Sequence, residues 1–224
     1  MTVIARGFGE PVNVERTEDG TLFVSDLVRN SVVRIARGRA TTVATIEAAV
    51  GLALRGTSLY VSSLASFISR VDVTTGAVER VAGDGTPEST GDGGPALEAQ
   101  VETPHSVALD RDGNLYLEAQ GSIRRIDAGT GVITTYARVD ASQMTFGADG
   151  TLYFVHGDPR FGGGIGAIAP DGTVRRFFRS STFLPTDLVL TGNALLIGQW
   201  RPFPAIRRYD LRTRKFTTVV RGSG

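Results

Sequence analysis

Apolar and polar residues alternate along this chain in short runs, and glycine, aspartate or asparagine closes each run. Val101 to Ala137 shows the pattern in full. Val107-Ala108-Leu109 is one run, Leu115 to Glu118 the second, Ile123 to Asp127 the third and Val132 to Ala137 the fourth. The turns Arg111-Asp112-Gly113-Asn114 and Ala128-Gly129-Thr130-Gly131 lie between them. A period of two sends alternate side chains to opposite faces of a strand. Gly, Asp and Asn tolerate the positive φ of tight turns. The stretch therefore predicts four short strands in succession, and helical periodicity is confined to Gly94 to Val101.

The unit recurs. Its second strand reads Leu22 to Asp26, Leu59 to Ser63, Leu115 to Ala119, Leu152 to His156 and Leu195 to Gln199, with leading leucines 37, 56, 37 and 43 residues apart. The long interval holds an insertion, residues 83–100, and without it the period is close to the roughly 40–45 residues of a four-stranded propeller blade. A lone four-stranded sheet cannot bury both faces, so such blades stack around an axis. The expected fold is an all-β propeller in one domain over 1–224. Its repeats are expected near 8–46, 47–82, 101–139, 140–180 and 181–222.

These residues resemble the NHL-repeat β-propellers, within the TolB-like and SMP-30/gluconolactonase-like propeller group. Pro104-His105-Ser106-Val107-Ala108-Leu109-Asp110 followed by Gly113-Asn114-Leu115-Tyr116-Leu117 nearly meets the NHL pattern, and Pro11 to Asp26 and Pro185 to Gln199 are looser copies. The insertion is similar to the long inter-blade loop of bacterial NHL proteins. The resemblance implies fold more than activity, since the family hosts enzymes, sensors and scaffolds. Relatives commonly have six blades. Thr2 to Gly7 resembles a fourth strand, like Phe216 to Gly222, which makes five repeats and one spare strand. Two readings stand open, a five-bladed ring or an incomplete six-bladed ring.

Composition narrows the partners. A net charge of +1 gives no strong field to draw nucleic acid or a membrane surface. Cysteine is absent, which excludes disulfides and thiolate metal sites. No apolar run reaches the ~20 residues of a membrane span. Met1 to Arg6 lacks the form of a signal peptide, so a cytoplasmic location is expected, although a leader already removed would leave the same sequence.

In such a blade the start of the first strand and the end of the second meet at one face near the axis. The first position holds Asn13, Gly51, Ser106, Gln143 and Asp187 in turn. The second holds Asp26, Ser63, Ala119, His156 and Gln199, and Glu10, His105, Arg160, Trp200 and Arg201 flank them. Different polar groups at equivalent positions point to a shaped site. The alternative is that they cap turns and bond local backbone. His105, His156, Asp26 and Asp187 are the candidates for proton transfer. His156 is expected to pair with Asp26, Asp187 or His105, with the two pKa values pushed apart. Asn13, Gln143, Arg160, Gln199 and Trp200 are the candidates for holding a ligand, Arg160 for an anion.

The start of the SMP-30 lactonases is similar to Phe8-Gly9-Glu10-Pro11-Val12, and there a glutamate binds a divalent ion. The resemblance makes Glu10, Asn13 and Asp187 candidate ligands for Ca, Mg, Mn or Zn, although the family's other ligand places hold His105, Ser142 and Thr186. Pro104-His105-Ser106 is similar to the zinc-binding steps of the peptide-amidating lyase propellers, but two histidines exclude a three-His site. The glycines of Gly162 to Gly166 precede no helix, so they form no dinucleotide loop. Residues 157–166 are expected as a mobile loop. The expected function is binding of a small polar molecule or peptide at the axial face, with hydrolase, lyase or cyclase chemistry. The alternative is a non-catalytic protein- or peptide-binding propeller anchored by Trp200, Phe161 and Phe203.

Overall fold

A computed structural model describes residues 5–158, 160 and 162–222, with the backbone alone at Asp158. It is all-β, and the described residues form five four-stranded antiparallel sheets and no α-helix. Blade 1 is β1 (Pro11–Arg16), β2 (Leu22–Asp26), β3 (Ser31–Ala36) and β4 (Arg39–Thr45). Blade 2 is β5 (Ala49–Arg55), β6 (Ser58–Ser63), β7 (Phe67–Asp72) and β8 (Val78–Ala82). The insertion folds as a small hairpin, β9 (Ser89–Thr90) with β10 (Gln100–Val101), around one 3-10 turn at Ala96–Glu98. Blade 3 is β11 (Val107–Leu109), β12 (Leu115–Ala119), β13 (Ser122–Ile126) and β14 (Ile133–Ala137). Blade 4 is β15 (Gln143–Phe146), β16 (Leu152–Asp158), β17 (Gly162–Ile168) and β18 (Val174–Ser180). Blade 5 is β19 (Leu184–Thr191), β20 (Ala194–Arg201), β21 (Ala205–Asp210) and β22 (Phe216–Arg221). Every sheet runs in sequence order, as tight turns between neighbouring antiparallel strands require.

Contacts gather into two compact units, residues 1–135 and 136–224. In the first, β5 packs on β1 and β2, and β11 packs on β5 and β6. Phe23, Val32, Leu59, Val61 and Val71 fill the layer between blades 1 and 2. Ile68, Leu115, Leu117, Val107 and Ile133 fill the layer between blades 2 and 3. In the second unit β19 packs on β15, β16 and β17 around Val155, Ile165, Leu195, Ile197 and Tyr209. The second and third strands of the blades place their apolar rows between sheets, where burial of each large side chain contributes about 1.5–3 kcal/mol.

The insertion is held by one buried cation. Arg124 is 2% exposed. Its guanidinium donates to the carbonyls of Gln100 (2.7 Å) and Thr90 (3.0 Å) and to Asp92 (2.7 Å), whose other oxygen accepts from the Thr135 N–H (2.8 Å). All three partners of Arg124 lie in the insertion, so the charge fastens that hairpin to β13.

Three expectations change. The expected spare strand Thr2 to Gly7 begins outside the described residues, and its described part, Ala5 to Gly7, is irregular. The stretch from Gly94 to Val101 makes a single 3-10 turn and a short strand. Of the expected loop over 157–166, Gly157 and Asp158 belong to β16 and Gly162 to Gly166 to β17, while Pro159 and Phe161 lie outside the described residues. Gly164 faces His156 across the ladder, and Gly166 lies under the Phe154 ring, where a Cβ would come within 2.4 Å. These glycines are close-packing residues of a central strand.

Candidate functional site

The strand ends of the first unit share a repeated design. β1 and β5 bulge between Pro11 and Val14 and between Ala49 and Leu52, and such bulges redirect side chains at a sheet's rim. In each bulge one N–H is taken by the serine at the fourth position of the second strand. Asn13 donates to Ser25 Oγ at 3.1 Å and Gly51 to Ser62 Oγ at 2.9 Å. The hydroxyls in turn reach the next blade, Ser25 to the Val50 carbonyl (2.6 Å) and Ser62 to the His105 carbonyl (3.3 Å). Gly51 permits this approach, since a Cβ there would stand 2.6 Å from both the His105 oxygen and Ser62 Oγ.

Blade 3 places Glu118 at the equivalent position. Its side chain is 7% exposed, and Oε2 lies 3.9 Å from Nδ1 of His105, whose side chain is 59% exposed. Oε1 accepts the Gly121 N–H at 3.0 Å, and the Glu118 N–H bonds the Ser106 carbonyl at 3.0 Å. A buried carboxylate thus stands behind an exposed imidazole. Glu118 was not among the sequence candidates. The signal for it was the fourth position of the aligned second strands, Ser25, Ser62, Glu118, Val155 and Gly198.

Asp26 is fully buried and works as a cap. Gly9 donates to Oδ2 (2.8 Å), and Glu10 (2.9 Å) and Arg29 (3.2 Å) donate to Oδ1. Burial pushes its carboxyl up, but the N–H groups of Glu10, Gly9 and Arg29 reverse this and hold it below the ordinary value. Three backbone bonds fix it to the segment leading into β1, which favours the turn-cap reading over proton transfer. Ser63 caps likewise, donating to the Glu47 carbonyl and accepting from Ala65.

In the second unit His156 is half-buried, with Nε2 over Gly164, where a Cβ would stand 2.7 Å away. Burial lowers its pKa, the Asp140 charge opposes this, and Arg176 and Arg179 add to it. Asp187 follows a bulge between Pro185 and Asp187 in β19. Burial raises its pKa, against the Leu188 N–H that donates to Oδ1 at 2.7 Å. The expected mutual push is therefore replaced. His156 and Asp187 shift toward each other, each through its own desolvation.

The remaining candidates divide. Gln199 is buried, donates to the Phe203 carbonyl (3.1 Å) and accepts from Arg207 (3.3 Å), so it holds the β20–β21 turn. Gln143 is half-buried opposite Val155. Arg160 is exposed in the β16–β17 turn, and Phe161 lies outside the described residues. Trp200 is 57% exposed, with the Arg201 guanidinium 5.7 Å from its ring centre.

A divalent ion needs several charged oxygens converging on it. Among the described residues no three His, Asp or Glu side chains form such a group. Glu10 is exposed, and burial of Asp187 disfavours the ionised form that a ligand needs.

Five four-stranded antiparallel blades are those of a β-propeller. Residues 7–151 match the family model of the Teneurin NHL domain, which is more than half of the chain, and the chain belongs to that family. Among solved structures it is similar to a gluconolactonase from Xanthomonas campestris, with a TM-score of 0.78 at 17% identity over 99% of this chain and 79% of that one. It is also similar to virginiamycin B lyase from Staphylococcus aureus, with a TM-score of 0.68 at 18% identity over 94% of this chain and 70% of that one. At these identities the likeness shows the fold. No curated protein sequence matches the chain.

Proposed function

We propose that this protein binds a small polar metabolite at the strand ends of blades 2 and 3, with His105 as the proton-transfer group and Glu118 behind it. The buried Glu118 carboxylate carries the reading. Blades 1 and 2 fill the same position with serine, which completes the inter-blade bonding at no cost in charge burial. Burying an ion costs several kcal/mol, by a rough accounting, unless it is compensated. Here Oε1 accepts the Gly121 N–H and Oε2 stands toward His105. A carboxylate backing an imidazole fits a general base, because it orients the ring and stabilises the imidazolium that forms. At 3.9 Å the pair is within charge-attraction range but not hydrogen-bonded.

Such a site suits hydrolysis or ring opening of a cyclic ester. His105 takes a proton from water as its oxygen attacks the carbonyl, then returns that proton to the leaving oxygen. The gluconolactonase and lyase neighbours make glucono-lactone and quinupristin the first substrates to test. Proton release and mass spectrometry follow the two reactions. Turnover of either, lowered about 100-fold or more in His105→Ala with unchanged melting, supports the reading. No turnover of either substrate, or full activity in His105→Ala, overturns it.

A second reading rests on Trp200, the only tryptophan, exposed beside Arg201. Residues 136–224 carry twelve Arg and Lys against six Asp and Glu. An acidic peptide binding there would shift the Trp200 fluorescence, and Trp200→Ala would lose it while His105→Ala would not.

A further inference from the structure

We propose that blade 1 carries a second ligand site, a cleft for a multivalent oxyanion such as the phosphate of a sugar phosphate. The cleft has a volume of about 700 Å³ and is lined by Asp19, Gly20, Thr21, Arg34, Ala36, Arg37, Arg39 and Thr41, of which the three arginines do the work. It lies at the end of blade 1 formed by the β1–β2 and β3–β4 turns, away from Asp26. Its size is that of a metabolite pocket.

The other blades serve as internal controls. Blades 2, 3 and 5 also carry an arginine in the third strand, and each meets a carboxylate of its own blade. Arg70 pairs with Glu79 at 2.7 Å, Arg125 with Asp127 at 2.9 Å and Arg208 with Asp210 at 3.2 Å. Asp127 and Asp210 stand two residues after their arginines, as Asp72 does after Arg70, and all three also accept N–H groups from the following turn. Arg34 stands at the same place in β3, but two residues on is Ala36, and across the ladder Arg34 faces Thr41 where Arg70 faces Glu79. The β3–β4 connection is a two-residue hairpin, Arg37-Gly38, with Ala36 opposite Arg39. It needs no aspartate to cap a longer turn, and the space is given to two further arginines.

Among the described residues Arg34, Arg37 and Arg39 make no ion pair. The one carboxylate in the cleft, Asp19, is already engaged by the hydroxyls of Thr17 and Thr21 and by the Thr21 N–H. Three arginines thus line one cleft with a single carboxylate, Asp19, which Arg34 also attracts electrostatically. Guanidinium forks match phosphate oxygens bidentately. The lining has no aromatic ring to stack a base, so the body attached to the phosphate is polar rather than a nucleobase.

Titration calorimetry of the full chain with pyrophosphate and inorganic phosphate, at constant ionic strength, tests the proposal. Binding is expected, and Arg37→Ala/Arg39→Ala should weaken it about tenfold or more. Ala36→Asp restores the carboxylate of the other blades and should weaken binding about as much, while Arg70→Ala should leave it unchanged. Circular dichroism confirms that the variants fold. No binding of either anion at millimolar concentration, or equal binding by wild type and Ala36→Asp, would overturn the proposal. Both outcomes are independent of His105.

Discussion

Glu118 occupies in blade 3 the position that Ser62 occupies in blade 2. Both are the penultimate residues of their second strand, facing Ile123 and Ile68 across the ladder. Ser62 spends its hydroxyl on the bulge and the next blade, whereas Glu118 points a carboxylate at His105. Glu118→Ser therefore returns blade 3 to the design of its neighbours. Relief of the buried charge is offset by loss of the acceptor for the Gly121 N–H, so stability should change by less than about 2 kcal/mol. Turnover should fall about tenfold or more, because the imidazole loses its backing charge. Urea unfolding and kcat measured on the same preparation check the two effects. A drop in stability with unchanged kcat would make Glu118 a structural residue.

Asp26→Asn tests the cap. The Asp26 carboxylate accepts three N–H groups, and bonds to a charged acceptor contribute about 1.5–3 kcal/mol each. The variant should lose about 2–4 kcal/mol at neutral pH, with the segment before β1 detached. The folded pKa of Asp26 lies below the ordinary 3.8. Its contribution is therefore present above that value and disappears as pH falls through the folded pKa. Wild type and variant should converge as pH falls below the ordinary carboxylate value, as followed by thermal melts from neutral pH into acid.

Arg124→Leu tests the insertion. Leucine fills part of the volume but leaves the Thr90 and Gln100 carbonyls without their donor. Breaking a buried charged network costs about 3–5 kcal/mol. That cost should fall on the hairpin first, so limited proteolysis should cut between Gly83 and Gln100 while the blades stay protected. An uncut insertion would show that Ala96, Ala99 and Val101, buried against blade 3, hold it alone.

The blades were legible because period-two alternation and turn residues are local signals, and leucine led every second strand. The site was less so. Asp26 and Gln199 look chemical in sequence, but their carboxylate and amide are consumed by local backbone, which only geometry reveals. The glycines of β17 read as a loop because their partners, Phe154 and His156, come from another strand. Glu118 hid within an apolar run, where its meaning depends on the serines of two other blades.

Asp187 offers a test of whether the second unit keeps strain for use. Its carboxyl is raised above 3.8 by burial and has one N–H donor in compensation. A carboxyl with a raised folded pKa favours its protonated form in the native state. Native stability therefore falls as pH rises from the unfolded value through the folded one, and at neutral pH the ionised group is a net cost. Asp187→Asn keeps an acceptor for Leu188 and removes the charge, so its melting temperature at pH 7 should exceed that of wild type by about 2 °C or more. Below pH ~3.8 wild type is protonated in both states and the advantage should vanish. His156, lowered by its own burial, titrates the other way, with a cost that appears as pH falls below 6.5. Melts at several pH values separate the two. A gain in stability together with a loss of ligand binding would mark Asp187 as a residue retained for function at a cost to the fold. A stabilised variant with unaltered binding would remove it from the site.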